Sequence, residues 1–236
     1  MSIKEIEIDL DQNSNKEQAK LLHRFFKTGP GEYGEGDIFI GIKVPVLRSI
    51  SKKNQDISYK EIKQLLKSKI HEKRLVSLII LIFKYQKADE NEKLKIFNIY
   101  LENTNRINNW DLVDLTAPKI IGDYLLDKDK SLLISLAKSK SLWEKRISVL
   151  ATFQFIKYNQ FDFSLKISKI LLNDPHDLIH KAVGWMLREI GKRNLVVEEQ
   201  FLKDYYSTMP RTMLRYAIEK FPEQKRKAYL NKNKIN

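Results

Sequence analysis

The residues in this chain whose types and spacing could do chemistry are a tryptophan and two aspartates: Trp110, Asp111 and Asp114. In a helix, Trp110 and Asp114 are one turn apart and lie on the same face. A fixed carboxylate can stabilise a developing positive charge and orient a water molecule, and the face of an indole ring attracts cations. The pair is therefore a candidate functional site.

A repeat of 36 residues makes Asp114 unusual. Lys73–Val76 recurs 72 residues later as Lys145–Ser148, and further steps of 36 residues reach segments 109–112 and 181–184. In this alignment the position of Asp114 is apolar in the other three copies, where it holds Leu78, Leu150 and Met186. A carboxylate in an otherwise apolar position must be paired or functional.

The two aspartates have different alternatives. If Asn108 is the N-cap, Asp111 is the third residue of the helix, where a carboxylate favours the helix dipole and bonds back to the cap. That structural interpretation is favoured for Asp111. Asp114 lies beyond the first turn, so it is either functional or held in a buried ion pair with Arg146 or Arg188.

Trp185 is the second candidate aromatic residue. The other copies of the repeat have smaller residues at its position, namely Ser77, Val113 and Val149. A tryptophan there either packs in the core or forms an exposed aromatic platform. Trp143, near the expected start of its helix, is assigned to packing.

The elements that must position these residues are helices. Apolar residues recur at three-and-four spacing along most of the chain, and the best strand candidate, Gly36–Val44, is expected to be an extended loop. The sequence therefore predicts an all-α protein, one domain over residues 1–236. The period is slightly short for, but close to, that of HEAT or armadillo solenoids. Such a HEAT-like helical-repeat solenoid has an extended concave face that suits a long polymer.

Composition excludes several classes of protein. The 236 residues include 42% hydrophobic residues, enough for a packed core, and no apolar run approaches the roughly 18 residues of a membrane span. No signal-peptide core is present at the N-terminus, so we expect a soluble, cytoplasmic protein. The absence of cysteine excludes disulfides, thiolate zinc sites, iron–sulfur clusters and a cysteine nucleophile. With 43 Lys and Arg against 30 Asp and Glu, the net charge of +13 permits DNA, RNA or an acidic membrane surface as partner.

Two motifs are set aside. Residues 29–34 match G-x-G-x-x-G but follow a helical segment, and the neighbouring Glu32, Glu35 and Asp37 would repel a pyrophosphate. His176 and His180 are spaced like a metal pair but lack the intervening glutamate, and His176 is expected near a helix start. We predict no metal site.

Four segments together resemble the DNA alkylation repair family, of the AlkD type: Phe25–Asp37, Asn109–Asp114, Leu142–Arg146 and Lys181–Glu189. They run in family order and span nearly the whole chain. The resemblance implies a HEAT-like monofunctional DNA glycosylase that excises cationic alkylated purines, such as 3-methyladenine and 7-methylguanine, in base excision repair.

The resemblance also implies roles for individual residues. Asp114 is the catalytic carboxylate, Trp110 and Trp185 contact the sugar–phosphate region of the lesion, and Arg146 helps to hold DNA. The family has a lesion-side tyrosine near the first helices, where this chain has Phe25 or Phe26. It also has a second tryptophan where Asn109 stands.

One carboxylate is sufficient for the reaction that the resemblance implies. A purine alkylated at N3 or N7 is already cationic and leaves as a neutral base, so no general acid is needed, and one aspartate can stabilise the oxocarbenium-like sugar. The expected partner is double-stranded DNA with alkylated bases, bound by a monomer without a cofactor. The expected DNA-binding residues are Arg74, Lys145, Arg146, Lys181, Arg188, Arg211 and Arg215.

Two other functions remain open. The first is a non-enzymatic HEAT-repeat protein that recognises bent, damaged or branched duplex DNA. The second is a protein-binding scaffold, which the excess of lysine and arginine disfavours.

Overall fold

The computed structural model of the protein describes residues 2–231. Helices dominate this range and no β-strand occurs in it, which confirms the predicted all-α class. The α-helices are α1 Ile3–Gln12, α2 Lys16–Phe25, α3 Val44–Lys53, α4 Tyr59–Leu66, α5 His71–Lys87, α6 Glu90–Glu102, α7 Trp110–Ala117, α8 Asp123–Leu125, α9 Ser131–Ala137, α10 Leu142–Lys157, α11 Asp162–Ile170, α12 Asp177–Gly191, α13 Leu195–Tyr205, α14 Arg211–Ala217 and α15 Glu223–Leu230.

Three short helical segments of other types complete the described range. Thr104–Arg106 and Ile218–Lys220 are 3-10 turns. Pro118–Gly122 is a π-helical segment between α7 and α8. It begins at a proline, which cannot donate the hydrogen bond of a regular α-helix. No helix among residues 2–231 is both long and apolar enough to span a membrane.

The described chain divides between Thr116 and Ala117 into two compact units. In the first unit, α5 is buried along most of its length and packs against α3 and α4. A local capping motif fixes where the neighbouring helix α4 begins: Ser58 and Glu61 form a capping box at its start. The first unit thus places α5 at its centre, with its N-terminal residue His71 buried.

The loop between α2 and α3 is tied to α5 by backbone and side-chain contacts. Ile38 forms a single bridge with Ile70, and residues 39–43 are loop, as predicted, whereas Gly36 lies in a turn and Val44 already begins α3. The carboxylate of Glu72 accepts hydrogen bonds from the backbone N–H groups of Ile40, Gly41 and Ile42. This anchoring fixes the loop residues that precede it against the start of α5.

The second unit is built around α10 and α12. α10 packs against α9, α11, α12 and residues 118–122, and α12 packs closely against α14. A Cβ atom at Gly184 would lie 2.4 Å from the carbonyl oxygen of Met213. Only glycine therefore allows the observed approach of α12 to α14.

The four aligned sequence segments all fall at helix starts. They lie near the starts of α5, α7, α10 and α12, with Asn109 directly before α7. The 36-residue period therefore corresponds to a recurring helix position, although helix lengths between these starts vary.

Candidate functional site

The candidate site of the first unit is built on the first turn of α7. This helix begins at Trp110, so the residue before it is Asn109 rather than Asn108, and the predicted N-cap was wrong by one position. The backbone carbonyl of Asn109 accepts from the N–H of Val113, and its side-chain oxygen accepts from the N–H of Trp110 at 2.8 Å. Asp111 is therefore the second residue of the helix.

Asp111 has a partner that the sequence did not reveal. Its Oδ2 lies 2.8 Å from Nε2 of His71, and its Oδ1 accepts from the backbone N–H of Leu112 at 2.9 Å. Asp111 therefore has a partner on α5, 40 residues away in sequence, which the capping role predicted for the third helical residue did not include. The carboxylate remains 16% exposed.

His71 belongs to a buried network of charged side chains. Its Nδ1 lies 3.4 Å from Oδ2 of Asp37, and Oδ1 of Asp37 accepts from Arg74 at 2.7 Å. The side-chain amides of Asn108 and Asn109 lie 3.3 and 3.5 Å from the same carboxylate. The order Asp111–His71–Asp37–Arg74 alternates in sign, and we call it the charge network.

The charge network keeps His71 protonated at neutral pH. Burial alone would lower the pKa of His71, but Asp111 and then Asp37 outweigh burial and raise that pKa to about 9. Burial likewise opposes ionisation of Asp37, yet His71 and Arg74 hold its pKa below the usual range. The interior of the first unit therefore contains an imidazolium between two carboxylates.

Aromatic rings connect this network to Trp110. The Phe39 ring stacks on His71 with centroids 4.4 Å apart, and Phe26 stacks on Phe39 at 4.9 Å. Phe26 also stacks on Trp110, with centroids 5.1 Å apart and 24° between the planes. Phe25 is 63% exposed and meets Trp110 edge-on at 5.7 Å. Of the two phenylalanines near the first helices, Phe25 is the one at the surface beside Trp110.

A cavity of about 460 Å³ lies beside this cluster. Its lining is mainly apolar and includes Phe25, Phe26 and Trp110, with Asp111 as one of its few polar groups. The indole of Trp110 therefore borders an accessible space in the first unit.

Asp114 follows Trp110 by one turn on α7 and is half-buried. Its charge adds to the effect of burial in raising the pKa of Tyr100, and the hydrogen bond between Tyr100 and Thr116 opposes that rise. The hydroxyl of Tyr100 lies 2.9 Å from Oγ1 of Thr116. Asp114 thus stands at the edge of the apolar interior, where its charge influences a buried group.

Trp185 lies in the second unit on α12 and is half-buried. Its Nε1 donates to Oε1 of Glu189 at 3.2 Å, and its ring centroid is 6.0 Å from that of Phe153. Glu189 also forms ion pairs with Lys192 and Arg193, at 2.6 and 3.3 Å. The indole is therefore held in one orientation while part of it stays accessible.

Two of the predicted DNA-binding arginines are buried. Arg74 is 2% exposed and pairs with Asp37, and Arg146 is 5% exposed and donates to the carbonyl of Leu178 at 2.5 Å. Both guanidinium groups are engaged inside the protein. Their positions therefore favour a structural role over direct phosphate binding.

The other predicted DNA-binding residues lie nearer the surface of the second unit. Lys145 pairs with Asp174 and Lys181 with Asp177, each at 2.7 Å. Arg188 forms an ion pair with Glu219, and Arg211 donates to the carbonyl of Leu230. Arg215 is exposed. The Lys181–Asp177 pair is exposed on both sides, and a surface pair of this kind is weak enough for a phosphate to displace it. Asp174 and most of the Arg188 side chain are buried, so the pairs of Lys145 and Arg188 are more firmly held.

The two motifs set aside have local structural roles. The backbone N–H groups of Gly29 and Gly31 donate to the carboxylates of Glu32 and Glu35, so the glycine-rich loop is closed on its own acidic residues. His176 is the N-cap of α12, which confirms its predicted place near a helix start. Among residues 2–231, no three histidine, aspartate or glutamate side chains group as a metal site.

The roles of His71 and Asp37 in the charge network were not predicted from the sequence. A signal for His71 was present, because the 36-residue alignment places apolar residues at its position in the other copies: Ile107, Trp143 and Ile179. The criterion that singled out Asp114 would therefore have found His71. Asp37 lies in a loop outside the repeat and carries no comparable signal.

The sequence and the fold are similar to those of known proteins. A family model described as DNA alkylation repair enzyme matches residues 6–221. No curated protein matches the sequence. A solved structure described as a predicted DNA alkylation repair enzyme from Enterococcus faecalis matches with a TM-score of 0.70 and 17% identity, covering 89% of this chain and 98% of that one. At this identity the structural likeness shows the fold alone.

Proposed function

The chain belongs to the DNA alkylation repair enzyme family, and from this premise we propose that it is a monofunctional DNA glycosylase for cationic alkylated purines. The proposed substrates are 3-methyladenine and 7-methylguanine in double-stranded DNA. The observation that supports this reaction is the placement of a half-buried carboxylate, Asp114, one helical turn after Trp110, the residue whose indole borders the accessible cavity.

In the proposed reaction, the N-glycosidic bond breaks and its electron pair goes to the alkylated purine, which leaves as a neutral base. The sugar becomes oxocarbenium-like, and the negative charge of Asp114 stabilises it. Water then adds to the sugar carbon and loses a proton to solvent or to Asp114. Because the base is cationic beforehand, this scheme needs neither a general acid nor a lysine nucleophile.

Trp110 fits the cationic substrate for two reasons. The face of an indole attracts a positive centre by about 0.5–2 kcal/mol. Stacking on Phe26 also holds the ring in one place before the substrate arrives, which reduces the cost of orienting it.

DNA is proposed to bind through basic residues of the second unit together with Trp185. These are Lys145, Lys181, Arg188, Arg211 and Arg215. Each phosphate contact should make binding weaker at higher salt. We also propose that the chain forms a HEAT-like superhelix with a concave DNA-binding face. The recurring helix starts of the 36-residue period support this.

The test is release of free base from duplex DNA that contains 7-methylguanine. The purified protein should release the base, and Asp114→Asn should lose release by at least about 100-fold while keeping DNA binding within about 2-fold. Asp127→Asn is the matched control, because Asp127 is exposed and lies outside the site. Full activity in Asp114→Asn, or no release by the parent protein, would overturn the proposal.

One observation favours a second candidate, a DNA-binding protein without catalysis. Trp110 is covered on one face by Phe26 and contacted at its edge by Phe25, so part of the ring is already occupied by the protein. This candidate predicts salt-sensitive binding to bent or damaged duplexes and no base release from any alkylated substrate.

A further inference from the structure

We propose that His71 is a positioning residue for the α7 site: its imidazolium bridges Asp111 and Asp37 and thereby fixes the first turn of α7 and the ring of Trp110. The expected effect on catalysis rests on the proposed glycosylase function. The placement of Trp110 does not, and it can be measured without any substrate.

Two routes connect His71 to Trp110. The first is the 2.8 Å contact from Nε2 of His71 to Asp111, which is the neighbour of Trp110 in the first turn of α7. The second passes through Phe26, whose ring centroid lies 5.3 Å from that of His71 and 5.1 Å from that of Trp110. A change at His71 therefore reaches both the backbone that carries Trp110 and the ring that supports it.

The charges around His71 balance only when it is protonated. Asp111 faces it from α7, Asp37 from the loop before α3, and Arg74 from the next turn of α5. Glu72 is also buried nearby, but its carboxylate is directed at the backbone N–H groups of residues 40–42. With the imidazolium present, the charge network holds two positive and two negative charges. A neutral imidazole would leave one negative charge unbalanced in the interior.

Protonation also decides how many bridges His71 can make. An imidazolium donates from both ring nitrogens, whereas a neutral imidazole donates from only one. Loss of the proton therefore breaks the link to either Asp37 or Asp111, so the loop and α7 are no longer held together through one ring.

Burying four paired charges adds little to the stability of the fold, because well-packed apolar residues of similar size often stabilise a core at least as well. Paired charges instead favour one arrangement of the elements that carry them. Here those elements are α5, α7 and the loop that contains Asp37. The network thus fits a role in holding the site geometry, which is what the reacting groups on α7 require.

The direct test uses the fluorescence of Trp110. In the Trp143→Phe, Trp185→Phe double variant, Trp110 is the one remaining tryptophan, and its emission is followed from about pH 6 to about pH 10.5. We expect a transition with a midpoint near pH 9, where the pKa of His71 lies. Adding Asp111→Asn should move this midpoint down by at least about one pH unit, since it removes the largest favourable charge.

Two controls keep the result interpretable. The same titration in a His71→Gln background should lack the transition, which separates His71 from tyrosine ionisation. Circular dichroism across the pH range should show a folded protein throughout. Emission that is flat between pH 7 and 10, or a midpoint that Asp111→Asn leaves in place, would overturn the proposal.

Activity supplies a second measurement. If the proposed function holds, single-turnover base release should fall about 10- to 100-fold above pH 9 and in His71→Gln, with DNA affinity changed far less. Absence of base release in the parent protein would sink the glycosylase assignment, and the Trp110 titration would still decide the role of His71.

Discussion

The indole of Trp110 and the phenyl ring of Phe26 stack with centroids 5.1 Å apart and planes inclined by 24°. Phe26 in turn stacks on Phe39, which stacks on His71. One surface aromatic residue is therefore supported by a column of rings that ends on a buried cation. The position of Trp110 depends on the interior of the first unit as much as on α7.

Phe26→Ala should destabilise the protein by about 3–5 kcal/mol, because it removes a buried ring from the middle of this column. Phe25→Ala is the matched control: Phe25 is 63% exposed, so its removal should cost less than about 1 kcal/mol. Urea unfolding with constant m-values would measure both changes. Equal losses for the two variants would contradict the assignment of Phe26 to the interior and Phe25 to the surface.

Glu72→Gln should destabilise the protein by about 1–3 kcal/mol, because the buried carboxylate accepts charge-assisted hydrogen bonds from consecutive backbone N–H groups. Glu17→Gln, at a highly exposed position, should be neutral within about 0.5 kcal/mol. Hydrogen exchange at Ile40 to Ile42 should also become faster in Glu72→Gln. Unchanged exchange there would show that Glu72 does not anchor the loop.

Gly41 and Gly31 share a backbone conformation and differ in their surroundings, so Gly41→Ala can be compared with Gly31→Ala. Both glycines have positive φ, +87° and +75°, so alanine costs about 1–2 kcal/mol at either site. At Gly41 a Cβ would also lie 2.0 Å from the carbonyl oxygen of Asn15, whereas nothing lies within 4 Å at Gly31. Thermal unfolding should therefore show a clearly larger loss for Gly41→Ala, and equal losses would refute the close approach of the loop to α2.

Glu198 should make the protein less stable as pH rises from about 5 to 8. Burial, with a smaller effect from Glu199 and against the opposing charge of Arg188, raises the pKa of Glu198 from its ordinary value of 4.5 to about 8. Between these values the folded state holds a proton that the unfolded state has released, so the free energy of unfolding falls with pH, by about 1 kcal/mol per unit.

Glu198→Gln tests this linkage, because glutamine does not titrate. The variant should lose the fall in stability between pH 5 and 8 and exceed the parent protein at about pH 8.5. The Oε1 atom of Glu198 has no hydrogen-bond partner within residues 2–231, so the amide removes few existing contacts. Parallel stability curves for the two proteins would contradict the raised pKa.

Local sequence patterns were sufficient to predict the helices and to single out the Trp110–Asp114 pair. Three-and-four spacing of apolar residues predicted an all-α chain, and the segments of the 36-residue alignment lie near the starts of α5, α7, α10 and α12. Both properties follow from residues within a few turns of each other. The choice of Asn108 as N-cap was wrong by one position, since adjacent asparagines can both cap a helix.

The tertiary structure alone decided which charges are buried and which partners they have. His71 and Asp111 are 40 residues apart in sequence, and Arg74 and Asp37 are 37 apart, so no helical period connects them. Arg74 was predicted to bind DNA because the repeat places it beside other basic residues, yet Asp37 in the anchored loop holds it in the interior. The sequence by itself determined that a tryptophan and a carboxylate share one helix face, because helix geometry is local. Folding decided how they are supported, because that support comes from segments that only long-range packing brings together.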